Sequence, residues 1–208
     1  MGLMASSHVA ARRKVGVFGG TFDPIHKGHV AVAQSVLEVL DLDQVLFVVT
    51  SDQWLRENPP VAAAADRLRM VELAVDNVLE FAASDVDIVR EGSTYTVDTL
   101  RDLGAQLGDE VELYLIVGAD SAASMNRWKD AEQIGKLAKI VAVGRPGQML
   151  AVDSLDDSHP ASGAEYVEGP MIDVSATRVR GLLSDGQPID ALVTGEVAKY
   201  IETRNLYF

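Results

Sequence analysis

Cysteine is absent from the 208 residues. That excludes disulfides, thiolate chemistry and Cys–zinc ligation together, and it suits a cytoplasmic enzyme. Basic charge is scarce: 18 Lys and Arg stand against 31 Asp and Glu, a formal net charge of −13. A chain so acidic lacks the basic face that general nucleic-acid binding needs. A nucleotide site needs only local positive potential, so nucleotides stay open. No stretch reaches the roughly eighteen uninterrupted apolar residues of a membrane helix, so no membrane partner is expected. Residues 1–13 lack an apolar segment of the kind a signal peptide carries, and they read as a disordered N-terminal extension. Of the four histidines, His8 and His159 lie in irregular segments without a partner pattern, and no dedicated metal site is legible.

What is present is an ample core. Apolar residues make up 48% of the chain, and its length suits one sizeable domain, here residues 14–208. Apolar runs at Val15–Phe18, Val45–Val49, Val111–Val117 and Ile140–Val143 read as buried strands. Helical spacing of apolar residues recurs over Gly28–Leu40, Ala62–Leu79, Tyr95–Leu107, Ser175–Leu183 and Gly195–Arg204. Short helices are expected on both sides of Trp128, and further strands at Phe81–Val89 and Tyr166–Ile172. Glu91–Thr94 reads as a turn and cap, and residues 147–163 as a surface loop. Strand–helix alternation with continuously apolar strands predicts an α/β fold with one doubly wound, mostly parallel sheet. A small helical part follows at about 174–208. In such a sheet the ligand sits outside the carboxyl ends of the strands. The segments that follow strands, at Gly19, Thr50–Arg56, Gly118–Asp120 and Gly144–Pro146, should therefore meet along one edge.

The chain is organised around Gly16-Val17-Phe18-Gly19-Gly20-Thr21-Phe22-Asp23-Pro24-Ile25-His26-Lys27-Gly28-His29. Gly19 and Gly20 let backbone N–H groups approach an anion with no Cβ in the way, and Pro24 suits a sharp turn. His26 and His29 fall at a helix start, where N–H groups and the macrodipole face negative charge. Gly28 between them leaves room for a bulky ligand. The stretch resembles the signature of the nucleotidyltransferase superfamily with the T/HxGH motif. That resemblance implies a Rossmann-like nucleotidyltransferase fold, with Gly19, Gly20, Thr21 and Phe22 on ATP and His26 and His29 on its phosphates as catalytic groups.

A second stretch, Val174-Ser175-Ala176-Thr177-Arg178-Val179-Arg180, looks like a helix start with Ser175 as N-cap. Alone, it reads as an ordinary capped helix with two solvated arginines. It resembles the same superfamily's ISSTxxR motif, and the resemblance places Ser175, Thr177 and Arg180 on the ATP phosphates, opposite the histidines. Two facing helix starts would form a clamp for a triphosphate.

Further segments are similar to the bacterial nicotinate mononucleotide adenylyltransferase branch. They are Gly92–Thr99, Leu115–Asp120 with Trp128 beyond it, Gly144-Arg145-Pro146, and the ending Val197–Ile201 followed by Leu206-Tyr207. The resemblance implies adenylyl transfer from ATP to nicotinate mononucleotide, with Mg²⁺ bound mainly through the phosphates. It puts Gly118, Asp120 and Arg145 on ATP, and Asp23, Arg56, Thr94, Tyr95, Thr96 and Trp128 on the acceptor. Trp128 offers a face for a pyridine ring, and Thr94–Thr96 offer the N–H groups of a helix start to a carboxylate. Read as residues alone, Trp128 is as readily core, and Ser93–Thr96 as readily a cap. Arg56 stands where many members have lysine, and the two are not interchangeable. The alternatives are another acceptor, such as nicotinamide mononucleotide or phosphopantetheine, or a catalytically silent nucleotide-binding module. A homo-oligomer is compatible with the sequence.

Overall fold

The first two apolar runs pair with each other in parallel, Val15 to Gly20 lying beside Gln44 to Val49. The computed structural model describes residues 12–53, 59–90, 92–144 and 155–208. Among these residues the elements run β1 (Arg13–Gly20), α1 (Lys27–Leu40), β2 (Gln44–Val49), β3 (Asp52–Gln53), α2 (Ala64–Val75) and β4 (Phe81–Ser84). Next come α3 (Val86–Arg90), β5 (Ser93–Thr94), α4 (Thr96–Leu107), β6 (Val111–Gly118), α5 (Ala119–Ala123) and a 3₁₀ turn at Met125–Arg127. The series ends with α6 (Ala131–Leu137), β7 (Lys139–Gly144), β8 (Glu165–Glu168), α7 (Ala176–Ser184) and α8 (Gly195–Arg204).

Six strands make one sheet in the order β4-β2-β1-β6-β7-β8, and all of its pairings are parallel. The expected doubly wound α/β sheet is what forms. Side chains alternate across each strand. Val45, Phe47 and Val49 of β2 enter one core layer with residues of α1, α2, α7 and α8. Leu46 and Val48 enter the other with residues of α3, α4, α5 and α6. Both faces are covered, which is why these runs are continuously apolar. Gly16 in β1 permits that packing, because a Cβ there would lie 2.9 Å from Ile116 Cδ1. The chain moves outward from β1 to β2 and β4, then returns to pair β6 with the other side of β1. The order reverses between β1 and β6, so a crevice opens at their carboxyl ends.

Three readings need correction. The strand expected over Phe81–Val89 stops at Ser84, where its pairing with β2 ends. The Asp85 carbonyl then accepts from the N–H groups of Ile88 and Val89 and starts α3. The strand expected over Tyr166–Ile172 is Glu165–Glu168. The Gly169 N–H still donates to the Gly144 carbonyl, but Pro170 has no N–H to continue the ladder. Ser93–Thr94, read as part of a turn, pairs with Asp52–Gln53 in a separate two-stranded ladder. Of the loop read at 147–163, residues 155–163 are turns and bends and 147–154 lie outside the described residues, as do residues 1–11 of the N-terminal extension.

One buried cation closes the strand ends over the crevice. Arg67 of α2 is 1% exposed. Its guanidinium donates to the carbonyls of Thr21 (2.7 Å), Thr50 (2.8 Å), Ala62 (3.2 Å) and Ser51 (3.4 Å). Replacing it with methionine strands those acceptors. R67M should therefore lose about 3 kcal/mol or more of stability in urea unfolding, the scale of breaking a buried charged network. A loss under about 1 kcal/mol would show that water or backbone relaxation satisfies the carbonyls instead.

Candidate active site

The chain leaves β1 through a buried loop: Thr21, Phe22, Asp23, Pro24, Ile25 and His26 are all buried. Phe22 has φ of 50°, a left-handed backbone rare for a bulky residue. Its ring fills the space beside Gly20, where an added Cβ would lie 2.7 Å from the Phe22 ring. A Cβ on Gly19, by contrast, would meet nothing within 4 Å. Gly19 is thus the glycine that faces open space, while Gly20 makes room for Phe22. The Phe22 ring, in the segment expected on ATP, supports a histidine: it meets the His29 ring edge-on, 5.0 Å between centroids.

His26 is the N-cap of α1. Its Nδ1 accepts from the His29 backbone N–H (3.3 Å), and His29 Nδ1 accepts from the His26 backbone N–H (3.2 Å). The two rings stack, 3.6 Å between centroids and 14° from parallel. This reciprocal cap satisfies two N–H groups at the helix start. It also fixes the tautomer. An Nδ1 that accepts cannot carry a proton, so each neutral ring holds its proton on Nε2 as a donor. Burial lowers the His26 pKa to about 4. Burial, and then the neighbouring His26, hold that of His29 well below the ordinary value. Near neutral pH both rings are uncharged N–H donors.

The start of α7 lies against the start of α1. Gly28 allows this: a Cβ there would sit 2.8 Å from Val174 Cγ1 and 3.1 Å from His26 Nδ1. Gly28 seats a neighbouring segment and does not hold space for a ligand. Ser175 caps α7 by accepting from the Arg178 N–H at 3.2 Å, and Ser175 and Thr177 are exposed. Arg178 pairs with Asp173 at the surface. Arg180 reaches back to the loop after β1 and donates from Nη1 to the Asp23 carbonyl at 2.7 Å. The motifs around His26 and Arg180, some 150 residues apart in the chain, thus meet at two facing helix starts.

At the carboxyl ends of β1 and β6 lies a cavity of about 300 Å³. Gly19, Thr94, Tyr95, Thr96 and Trp128 line it, and His26, His29 and Arg180 do not. No side chain caps the start of α4 at Tyr95, so that helix start is offered to whatever fills the cavity. Thr94 is spoken for in part, its hydroxyl accepting from the Ser51 N–H at 3.2 Å. Trp128 is half-buried, a wall of the cavity that also packs against the second core layer. Gly118 and the exposed Asp120 lie at the end of β6 and in the first turn of α5, beside the wall formed by Val117 and Ser121. Arg56 and Arg145 lie outside the described residues.

Asp23, expected on the acceptor, ties its loop to the approach of α2. Its carboxylate, 3% exposed, accepts from the N–H groups of Val61 (2.8 Å) and Ala62 (3.0 Å) and from the Tyr207 hydroxyl (2.8 Å). Its oxygens are occupied by the protein itself. Two wall residues escaped the sequence reading. Asp87, 1% exposed, accepts from Thr99 Oγ1 and Arg90 Nη2, both at 2.6 Å; burial pushes its carboxyl up against those two partners. It was hidden inside an expected strand. Lys129 sits 4.3 Å over the Tyr95 ring and binds Asp98 at 3.0 Å; its place directly after Trp128 was the available signal. Among the described residues, no three His, Asp or Glu side chains gather as a metal cage, and no helix is long and apolar enough to cross a membrane.

Comparison with known proteins agrees with this arrangement. The profile of the cytidylyltransferase-like family matches residues 17–182. A protein of Dehalococcoides mccartyi named "probable nicotinate-nucleotide adenylyltransferase" is 42% identical over 197 residues, covering 93% of this chain and 97% of its own length. One of the same name from Streptomyces coelicolor is 42% identical over 189 residues, covering 91% and 98%. Among solved structures, the nicotinic acid mononucleotide adenylyltransferase of Plasmodium falciparum complexed with NaAD shares the fold, with a TM-score of 0.69 and 19% identity over 94% of this chain and 98% of its own. The same enzyme complexed with APC gives 0.72 and 17% over the same shares.

The neutral histidines set a pH dependence of stability. Between about 6.5, the ordinary histidine value, and about 4, the unfolded chain binds a proton at His26 that the native protein refuses. Stability should fall as the pH drops through that window, by about 1.4 kcal/mol per unit from this ring. In H26N, which keeps a capping side chain without a titrating ring, the loss between pH 7 and pH 5 should shrink by about 2 kcal/mol in urea unfolding. An equal loss in both proteins would overturn the neutral assignment.

Proposed function

We infer the reaction from membership and geometry together: the chain belongs to the cytidylyltransferase-like family and, within it, to the nicotinate-nucleotide adenylyltransferases. It transfers AMP from ATP to the 5′-phosphate of nicotinate mononucleotide, giving nicotinate adenine dinucleotide and pyrophosphate in the biosynthesis of NAD. We place the reaction in the cytoplasm. The observation that carries the mechanism is the reciprocal His26–His29 cap, which turns two Nε2–H donors into fixed groups at a helix start.

The acceptor phosphate is already an anion near neutral pH, so no general base is required. The tasks are to bring two anions together and to spread the charge of the leaving pyrophosphate, which positioned donors do. In our reading His26 and His29 donate to the α- and β-phosphates. Arg180, Ser175, Thr177 and the start of α7 hold the β- and γ-phosphates. Gly19 gives the α-phosphate close access to the backbone, with Thr21 behind it. Gly118 and Asp120 face the ATP ribose. Trp128 stacks on the pyridine ring while the start of α4, at Thr94–Thr96, meets the nicotinate carboxylate. Lys129 adds positive charge to that wall, which favours the acid over the amide. Arg145 and Arg56 are proposed for the ATP and the acceptor phosphate. Mg²⁺ would fit a site whose protein groups are N–H donors and arginines, because it keeps several waters and needs few protein ligands. When bound it would neutralise charge on the triphosphate.

H29A should lower kcat/KM by more than about 100-fold, the scale of losing an aimed donor, while the protein stays folded. Near-normal turnover would remove the histidine from the mechanism. W128A should raise the KM for nicotinate mononucleotide with little change for ATP; the reverse pattern would move the pyridine to another pocket. Pyrophosphate release with Mg-ATP against nicotinate mononucleotide, nicotinamide mononucleotide and phosphopantetheine tests the acceptor directly. Fastest release is expected with the first. Silence with all three, alongside ATP binding, would favour a regulatory module.

A further inference from the structure

The ending Leu206–Tyr207 has no part in the reaction as described above, yet the fold carries it into the loop after β1. Helix α8 stops at Asn205, whose φ of 51° turns the chain back. The Leu206 N–H donates to the Ile201 carbonyl at 3.0 Å. Tyr207 follows with φ of 69°, a left-handed backbone that a bulky side chain adopts only where its surroundings hold it. Here they do: the ring packs on the first core layer, and the hydroxyl donates to Asp23 Oδ1 at 2.8 Å across 184 positions of sequence.

The bond matters because of what Asp23 does to Arg180. Three donors hold the carboxylate: Val61 N–H on Oδ2, and Ala62 N–H and the Tyr207 hydroxyl on Oδ1. Held so, Oδ2 stands 3.9 Å from Arg180 Nη1, a loose ion pair with no direct hydrogen bond. Arg180 is aimed instead by the neutral Asp23 carbonyl at 2.7 Å. The Arg180 side chain is 29% exposed, with Nη2 lying 3.5 Å from the Thr177 hydroxyl. A carboxylate that lost one of its three donors would be held less firmly, and any turn that tightened the pair with Arg180 would set it in competition with phosphate for the same charge.

We propose that Tyr207 is a positioning residue for the phosphate clamp: its hydroxyl restrains the Asp23 carboxylate so that Arg180 keeps its charge for ATP. This rests on the reading of Arg180 as a phosphate ligand. The test is steady-state pyrophosphate release, with ATP and nicotinate mononucleotide varied separately, for Y207F, R180A and the double variant.

Y207F should raise the KM for ATP about tenfold, the scale of losing an outer-sphere orienting bond, and leave the KM for the mononucleotide unchanged. Y207F/R180A should be no worse than R180A alone. A Y207F protein with a lower melting temperature but unchanged ATP kinetics would overturn the proposal, as would penalties that multiply in the double variant. If R180A itself leaves ATP kinetics intact, the phosphate reading of Arg180 fails first, which is a separable result.

Discussion

The Arg67 guanidinium is the constraint on which the edge of the sheet depends. A buried cation has to find acceptors or it costs several kcal/mol. Arg67 finds them in the carbonyls of Thr21, Thr50, Ser51 and Ala62. Those carbonyls belong to the exits of β1 and β2 and the approach to α2, where strand pairing has run out. Asp23 completes the closure from the other sign, taking the N–H groups of Val61 and Ala62. One cation collects carbonyls and one anion collects N–H groups, so the two loops share a base. The loop that presents His26 and the cavity wall at Thr50 are both built on it.

That base explains how a chain of net charge −13 can receive a triphosphate and a second phosphate. The site does not work by bulk charge. It offers helix starts, whose N–H groups are oriented without any net charge, and two imidazoles that burial keeps neutral. A neutral donor costs far less to desolvate than an ion and is aimed before substrate arrives. Among the described residues, the site draws positive charge from Arg180 on α7 and Lys129 in the cavity wall, each held by named partners.

The legible part of the fold and site was the part encoded by local spacing. Strands β1, β2, β6 and β7 announced themselves as apolar runs, and the His26–His29 spacing placed both rings on the first turn of a helix. The parallel sheet followed from their alternation with helices, and the crevice from the switch-point rule. What spacing could not reveal was set by contacts between distant residues. Gly28 appears to a sequence reader as room for a ligand, but Val174 fills that room. The partners of Asp23, Tyr207 and two N–H groups from beyond residue 60, were out of reach of spacing in the same way. Asp87 was lost inside a strand because the propensities of Phe81–Val89 say nothing about the Thr99 and Arg90 partners that turn it into helix α3. The histidine tautomers needed the geometry of both Nδ1 atoms.

Phe22 shows why magnitudes decide such cases. Glycine would suit its φ of 50° without strain, and a non-glycine residue there costs about 1–2 kcal/mol. Burying a phenylalanine ring contributes about 3 kcal/mol, and an edge-on aromatic contact adds about 1 kcal/mol. The ring is 2% exposed and lies among Phe18, Phe47 and His29. Packing therefore outweighs the backbone strain, and the strained residue stays. The surplus has a functional direction. The Phe22 ring meets the His29 ring at 85°, while His26 stacks on His29 from another side at 14°. With its Nδ1 tied to the His26 backbone, His29 has little freedom to rotate, and its Nε2–H points where the loop after β1 sends it. A glycine at this position would relax the turn and leave that donor to find its own angle.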